Sequence, residues 1–214
     1  MTGLEQLAAL RSSMQELKQM DDDGQYGTLS ITTDKVKDED WSEIWKQYFH
    51  PIPVGEKILI QPAWETAENT EGKAVFTVNP GMSFGTGSHP STRFCIEEIE
   101  KHLKKGDTVL DLGCGSGILS IIALLLGAQS ATAIDIDPNA VDVAYRNLRL
   151  NHLTDENYHV MAGDILTDPK LQEQLGAYDV VIANIVADVI IGLSGFVKKF
   201  IKEDGTFICS GIIL

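Results

Sequence analysis

Apolar and polar positions form a regular succession of blocks in the middle of the chain. Thr108–Leu112 is a short, β-rich apolar run, and Ile118–Leu126 is a nearly unbroken apolar stretch of helical length. The loop between them contains three glycines, Gly113, Gly115 and Gly117. After this stretch, Ser130–Ile136 is again apolar and extended in character. This order predicts a strand, a glycine loop, a helix and a second strand, which together make a βαβ unit.

The same alternation continues toward the C-terminus. A helix is predicted from Pro138, with Asp137 as its N-cap, and a second helix at roughly Asp188–Lys202. Three further strands are predicted, His159–Ala162, Tyr178–Ala183 and Thr206–Ile213. Because strands and helices alternate, the pattern predicts an α/β fold of the Rossmann-like kind, a mostly parallel sheet with helices on both faces.

The N-terminal part has a weaker pattern, typical of a small α+β segment. Two helices are predicted, the amphipathic stretch Leu4–Met20 and Asp38–Phe49 with its aromatic face. Three strands are predicted, Tyr26–Thr33, Lys57–Gln61 and Lys73–Val78. We expect residues 1–37 to be the remnant of an N-terminal recognition domain, residues 38–78 a linker, and residues 79–214 the main domain. We also expect a chain truncated at both ends. The five-stranded sheet would end on an open apolar edge, and the N-terminal segment is too small for its own core.

Composition narrows the compartment and the class of partner. The chain has 214 residues and 43% hydrophobic composition, which allows one large domain plus an appendage. Its formal net charge of −14 argues against a broad nucleic-acid-binding surface and favours a basic partner. No apolar run is long enough for a membrane span, and the start lacks a secretion signal. Three cysteines without metal-ligand spacing indicate a reducing, cytoplasmic environment and no metal site.

The residues of the glycine loop indicate its ligand. The dinucleotide pattern G-x-G-x-x-G requires glycine where this chain has Ile118. Asp111, at the end of the first strand, would meet a pyrophosphate with no basic residue in the loop to offset its charge. A cationic ligand with a ribose fits better, and S-adenosylmethionine has both features. Asp135, 22 residues after Gly113, is placed to accept the ribose hydroxyls, and Gly115 allows close approach of the backbone.

A second group of chemically active residues is Asn79–Thr92, NPGMSFGTGSHPST, which is predicted to be a loop. The helix after it is expected to begin near Ser91 or Thr92. Free N–H groups at a helix start can bind a carboxylate, and the methionine part of S-adenosylmethionine has one. His89 either orients a substrate or has a structural role. Phe84, the aromatic residue of the loop, is a further candidate for cofactor contact.

Together these motifs resemble one family. The loop Asn79–Thr92, the D-L-G-C-G-S-G-I-L run, I-D-I-D-P and A-N-I resemble the PrmA family, class I methyltransferases of large-subunit ribosomal protein L-eleven (L11). The similarity extends from about Asp38 to the C-terminus. It implies a S-adenosylmethionine-dependent protein N-methyltransferase in which the loop closes over the cofactor. It also implies cofactor contacts at four matching positions, Thr92, Gly113, Asp135 and Asn184.

Two positions at strand ends complete the predicted site. Asp164 follows the third strand, where an acid either contacts the adenine amino group or is solvated. Asn184 lies at the carboxyl end of the fourth strand, where ligands bind in open α/β sheets, and is the candidate catalytic residue. Three other functions stay open, a nicotinamide oxidoreductase, a non-catalytic S-adenosylmethionine-binding protein and an RNA or DNA base methyltransferase. The last typically has Asn-Pro-Pro-aromatic where this chain has Asn184-Ile185-Val186-Ala187.

Overall fold

The chain divides into two compact units, Met1–Tyr48 and Phe49–Leu214. The computed structural model describes residues 3–21, 49–67, 70–79 and 89–211. In the first unit it contains helix α1, Gly3–Met20, which confirms the predicted N-terminal helix. The predicted strand Tyr26–Thr33 and almost all of the predicted helix Asp38–Phe49 lie outside the described residues. No helix in the described ranges is both long and apolar enough to cross a bilayer.

The second unit begins with a small three-stranded sheet. Its strands are β1 Ile52–Val54, β2 Ile58–Pro62 and β3 Ala74–Val78, in the order β1-β2-β3. β1 runs antiparallel to β2, and β2 runs parallel to β3. The sequence predicted β2 and β3 but not β1, because Pro51 and Pro53 indicated only the end of a helix. Pro53 is accommodated because β1 is an edge strand, where one side of the backbone needs no partner.

A five-stranded parallel sheet forms the centre of this unit. Its strands are β4 Thr108–Leu112, β5 Ser130–Asp135, β6 Tyr158–Ala162, β7 Tyr178–Asn184 and β8 Ile201–Ser210. They are arranged in the order β6-β5-β4-β7-β8, with every neighbouring pair parallel. The order reverses at β4, so the carboxyl ends of β4 and β7 border the crevice in which such sheets bind ligands.

Helices cover both faces of this sheet. They are α2 Pro90–His102, α3 Ile118–Leu125, α4 Pro138–Leu150, α5 Pro169–Glu173 and α6 Ala187–Ser194. One buried cluster joins Val109 of β4 to Ile96, Ile121 and Leu148 of α2, α3 and α4 and to Phe76 of the small sheet. The other joins Leu110 and Leu112 of β4 to Leu193 of α6 and to Phe200. Successive side chains of β4 point to opposite faces of the sheet, so this strand contributes to both cores. The predicted α/β architecture is confirmed.

The predicted end of the last helix was wrong. α6 ends at Ser194, a 3₁₀ turn follows at Val197–Phe200, and β8 begins at Ile201 instead of Thr206. Val197 and Phe200 are buried in the second core. A helix that continued past Ser194 would carry both side chains away from this core, so the chain turns instead. Gly205 lies within β8, where an added Cβ would stand 3.0 Å from the carbonyl oxygen of Asp179.

Candidate functional site

The glycine loop turns sharply between β4 and α3. Gly113, Gly115 and Gly117 have φ angles of 76°, 51° and 75°, the left-handed region that side chains disfavour. A Cβ on Gly113 would overlap the side chain of Ile185, and one on Gly117 would lie 2.5 Å from the hydroxyl of Tyr158. Glycine is therefore required by backbone angle at all three positions and by close contact at two, and the loop offers bare backbone to a ligand.

Asp135, the last residue of β5, is attached to this loop. Its Oδ2 accepts a hydrogen bond from the N–H of Gly115 at 2.7 Å, and its Oδ1 accepts one from the N–H of Asp137 at 2.9 Å. An ionised carboxylate has about four acceptor positions, so both oxygens can still accept ligand hydroxyls. The structure thus joins two of the predicted residues, Asp135 and Gly115, at the edge of the crevice.

Asp111 lies beneath the loop and is almost fully buried, with 1% of its surface exposed. Its Oδ2 accepts from the N–H of Ser120 at 3.2 Å, while its Oδ1 has no hydrogen-bond partner among the described residues. Burial raises the pKa of Asp111 from its usual 3.8 to about 6, opposed by the hydrogen bonds from Ser120 and reinforced by the charge of Asp135. A buried carboxylate oxygen without a donor fits a ligand that brings a cation or an N–H group.

Thr92 and Asn184 form a second part of the site. α2 begins at Pro90, and His89 is its N-cap, its Nδ1 accepting from the N–H of Ser91 at 3.2 Å. The predicted start near Ser91 or Thr92 was therefore one to two residues late. His89 has a structural role as the cap, and its contact with a substrate stays a prediction. Thr92 is 1% exposed, and its Oγ1 accepts from Nδ2 of Asn184 at 3.2 Å. The hydroxyl orients the amide of Asn184 at the end of β7.

Asp164 follows β6 and caps the turn after it. Its Oδ1 accepts from the N–H of Leu166 at 2.9 Å, and its Oδ2 accepts from Oγ1 of Thr167 at 2.7 Å. These bonds, led by that from Thr167, lower the pKa of Asp164. Both oxygens thus have a local structural use, and the adenine contact stays a prediction. Phe84 lies outside the described residues.

The sequence did not reveal the residues that support the loop from below. The Oγ of Ser120 donates to the carbonyl of Gly117 at 3.0 Å and lies 3.1 Å from the hydroxyl of Tyr158. The hydroxyl of Tyr158 is buried, and burial raises its pKa well above the usual value. The available signal was Ser120 itself, the single polar residue in the apolar stretch of the predicted helix.

Two open cavities lie elsewhere on the second unit. One of about 420 Å³ is lined by charged residues near the amino ends of the strands, including Asp107, Asp179 and Lys202. The other, of about 330 Å³, is lined by residues including Glu56 and Glu100. Neither is lined by Asp111, Asp135 or Asn184, so the chemistry of the side chains, and not cavity size, identifies the candidate site.

Comparison with known proteins agrees with this geometry. Residues 4–214 match the family model described as ribosomal protein L11 methyltransferase (PrmA). The chain is 44% identical over 190 residues to the ribosomal protein L11 methyltransferase of Alkaliphilus metalliredigens, covering 88% of this chain and 57% of the relative. It is 42% identical over 207 residues to that of Clostridium perfringens strain SM101, covering 97% and 63%. The chain therefore spans roughly three fifths of the length of these relatives.

A solved structure shows the same fold. The crystal structure of the ribosomal protein L11 methylase from Lactobacillus delbrueckii subsp. bulgaricus aligns with a TM-score of 0.68 and 32% identity. The alignment covers 77% of this chain and 81% of that one. The likeness confirms the Rossmann-like fold of class I methyltransferases. With the match of the family model over nearly the whole sequence, it shows that this chain belongs to the ribosomal protein L11 methyltransferase (PrmA) family.

Proposed function

We propose that this chain is the catalytic part of a S-adenosylmethionine-dependent protein N-methyltransferase that acts on ribosomal protein L11. The observation that carries the proposal is the buried Oδ1 of Asp111, which has no donor among the described residues and lies below a glycine loop with no basic residue. That environment suits a cationic cofactor and disfavours the pyrophosphate of a nicotinamide dinucleotide. The names of the relatives supply the substrate.

Each candidate residue has a defined part in holding the cofactor. Asp111 offers its free carboxylate oxygen to the cationic end, and Gly113 and Gly115 allow the backbone to come close. Asp135 accepts the ribose hydroxyls while it holds the loop through Gly115. The amino-terminal turn of α2, which contains Thr92, offers N–H groups to the methionine carboxylate. Asp164 accepts from the adenine amino group, and Phe84 is a further cofactor contact from the loop Asn79–Thr92.

The chain's own residues must orient the attacking amine. When bound, S-adenosylmethionine supplies an electrophilic methyl group on a sulfonium. The Nδ2 of Asn184 donates to Oγ1 of Thr92, which leaves Oδ1 as the acceptor for an N–H of the incoming amine. The amine is thereby held with its lone pair free for attack, and water takes its proton. Proximity and orientation would then supply most of the rate enhancement.

The acceptor is a lysine ε-amine or an α-amine of L11. Ribosomal proteins are basic, and the net charge of −14 favours their encounter with this chain. The same charge disfavours direct nucleic-acid binding. A ribosomal protein as substrate supports a cytoplasmic location for this chain.

Incubation with methyl-labelled S-adenosylmethionine and a lysate of under-methylated ribosomes tests this proposal. We expect the label on L11, and much slower labelling with the matched Asn184→Ala variant. Label in RNA would replace the proposal with a base methyltransferase. Cofactor binding without label in any component would indicate a binding protein, and absence of cofactor binding would overturn the proposal completely.

A further inference from the structure

Two buried asparagines lie on one face of α4 and just beyond its end. Asn147 and Asn151 are 5% and 8% exposed, although asparagine is mostly a surface residue. They are four residues apart, so their side chains are neighbours on the helix surface. Both amides are directed into the interior, where a polar group is stable only when it is hydrogen-bonded.

Asn151 binds the small sheet as a neighbouring strand would. Its Oδ1 accepts from the N–H of Thr77 at 2.7 Å, and its Nδ2 donates to the carbonyl of Thr77 at 2.8 Å. The second hydrogen of Nδ2 is donated to the carbonyl of Asn147, also at 2.8 Å. Three of the four hydrogen-bonding positions of this amide are thus paired, two of them with the backbone of Thr77 on β3.

Asn147 binds the glycine loop. Its Nδ2 donates to the carbonyl of Ser116 at 2.8 Å, in the loop between β4 and α3. The N–H of the same peptide group belongs to Gly117 and donates to the carbonyl of Cys114 at 2.8 Å. The peptide that joins Ser116 to Gly117 is therefore held at both its oxygen and its nitrogen. The loop is also held by the hydrogen bond from the N–H of Gly115 to Oδ2 of Asp135.

The orientation of the peptide between Ser116 and Gly117 depends on its hydrogen bonds, because the backbone on either side of it is flexible. Gly115 and Gly117 are both in the left-handed region and have no side chain to restrict rotation of the backbone between them. A rotation of the peptide would change which backbone group faces the crevice. It would also break the hydrogen bond from Nδ2 of Asn147 to the buried carbonyl of Ser116, so this bond opposes the rotation.

We propose that Asn147 is a positioning residue for the cofactor. By holding the carbonyl of Ser116 it fixes the loop in the conformation that binds S-adenosylmethionine, and Asn151 anchors the same helix end to β3. The inference rests on the proposed function, because it assigns the loop to that cofactor. It predicts that Asn147 controls cofactor affinity, whereas Asn151 contributes to stability with a smaller effect on affinity.

The test compares three variants of the 214-residue chain, Asn147→Leu, Asn151→Leu and the exposed control Asn157→Leu. Calorimetric titration with S-adenosylmethionine is run well below the melting temperature of each. We expect the Kd of Asn147→Leu to rise about tenfold, that of Asn151→Leu to rise less than threefold, and that of Asn157→Leu to stay unchanged. Melting temperatures of the two buried variants should fall by similar amounts.

Amide hydrogen exchange of the cofactor-free chain gives a readout independent of binding. The N–H of Gly117 should exchange faster in Asn147→Leu and at the normal rate in Asn151→Leu. Equal Kd values for Asn147→Leu and the parent chain, or equal losses in both buried variants, would overturn the positioning role. If Asn147→Leu does not fold, the shorter Asn147→Ser carries the same comparison. A parent chain that binds no S-adenosylmethionine contradicts the proposed function instead, while the exchange of Gly117 still decides whether Asn147 holds the loop.

Discussion

The side chain of Asn184 donates from Nδ2 to Oγ1 of Thr92 at 3.2 Å, although 92 residues separate the two in the chain. The bond joins the first turn of α2 to the carboxyl end of β7. This strand lies next to β4, where the strand order reverses. Thr92 is buried, so its hydroxyl has little access to water as an alternative partner. The orientation of the Asn184 amide therefore depends on Thr92.

Replacement of Thr92 by valine tests this dependence. Thr92→Val keeps the shape of the side chain and removes the acceptor for Nδ2 of Asn184. We expect stability to fall by about 1 kcal/mol and kcat to fall about tenfold, since the amide is no longer held for the acceptor amine. Thermal unfolding and steady-state kinetics on L11 measure the two effects. Thr132→Val on β5 is the control, and a Thr92 variant with normal kcat would separate Thr92 from the orientation of Asn184.

A second prediction concerns Asp135. Asp135→Ala should weaken S-adenosylmethionine binding by about 1–3 kcal/mol, because the ribose hydroxyls lose a charged acceptor. It also removes the acceptor for the N–H of Gly115, so the loop should become more mobile. Folding should survive, because Asp135 is only half-buried at the end of its strand. Calorimetry gives the Kd, with the exposed Asp155→Ala as control, and an unchanged Kd would remove Asp135 from the site.

Local sequence signals were sufficient for the sheet and for the glycine loop. The bounds of β4, Thr108–Leu112, agree with the prediction, and Asp137 caps α4, which begins with Pro138, as predicted. These elements depend on short-range rules, apolar runs bounded by glycine and a capping side chain before proline. The glycine positions of the loop follow from the same kind of rule, because each requires a left-handed backbone.

The local sequence pattern could not predict contacts between distant segments. The bond between Thr92 and Asn184 and that between Asn147 and Ser116 depend on how helices and strands pack, which no local spacing encodes. The premature end of α6 has the same origin, because the burial of Phe200 in the second core overrides a helical pattern that continues past Ser194. The cap at His89 was missed because histidine is an uncommon N-cap residue.

The buried carboxyl of Asp111 predicts a dependence of stability and binding on pH. Its folded pKa of about 6 is above the usual 3.8, so its contribution to stability is complete below pH 3.8 and is lost as the pH rises through 6. Asp111→Asn should remove this slope and raise the stability of the cofactor-free chain at pH 7 by about 1–3 kcal/mol. Chemical denaturation of both proteins at several pH values measures the difference.

Cofactor binding should have the opposite dependence on the charge of Asp111. A cationic ligand favours the ionised carboxylate, so the Kd for S-adenosylmethionine should rise up to about tenfold for each pH unit below the folded pKa. In Asp111→Asn binding should be weaker and the dependence absent. Calorimetry in two buffers that differ in ionisation enthalpy should detect proton release on binding near pH 6. Identical pH profiles for the parent and the variant would show that Asp111 does not face the cation.

Replacement of Asn184 should separate catalysis from cofactor binding. Asn184→Ala removes the acceptor proposed for the substrate amine, while Asp111, Asp135 and the glycine loop are unchanged. We expect kcat to fall about 100-fold and the Kd for S-adenosylmethionine to change less than threefold, the pattern of an interaction made with the acceptor in the transition state.

The reaction of the parent chain on L11 should also accelerate with pH. A lysine amine has a pKa of about 10.4 and reacts only after it loses its proton, so the rate should rise about tenfold per pH unit through the neutral range. In Asn184→Ala this slope should persist at a lower level, because Asn184 orients the amine and does not remove its proton. Single-turnover rates between pH 6.5 and about 9 measure both profiles. A slope that disappears in the variant would instead make Asn184 part of the proton transfer, and a variant with full turnover would exclude it from catalysis.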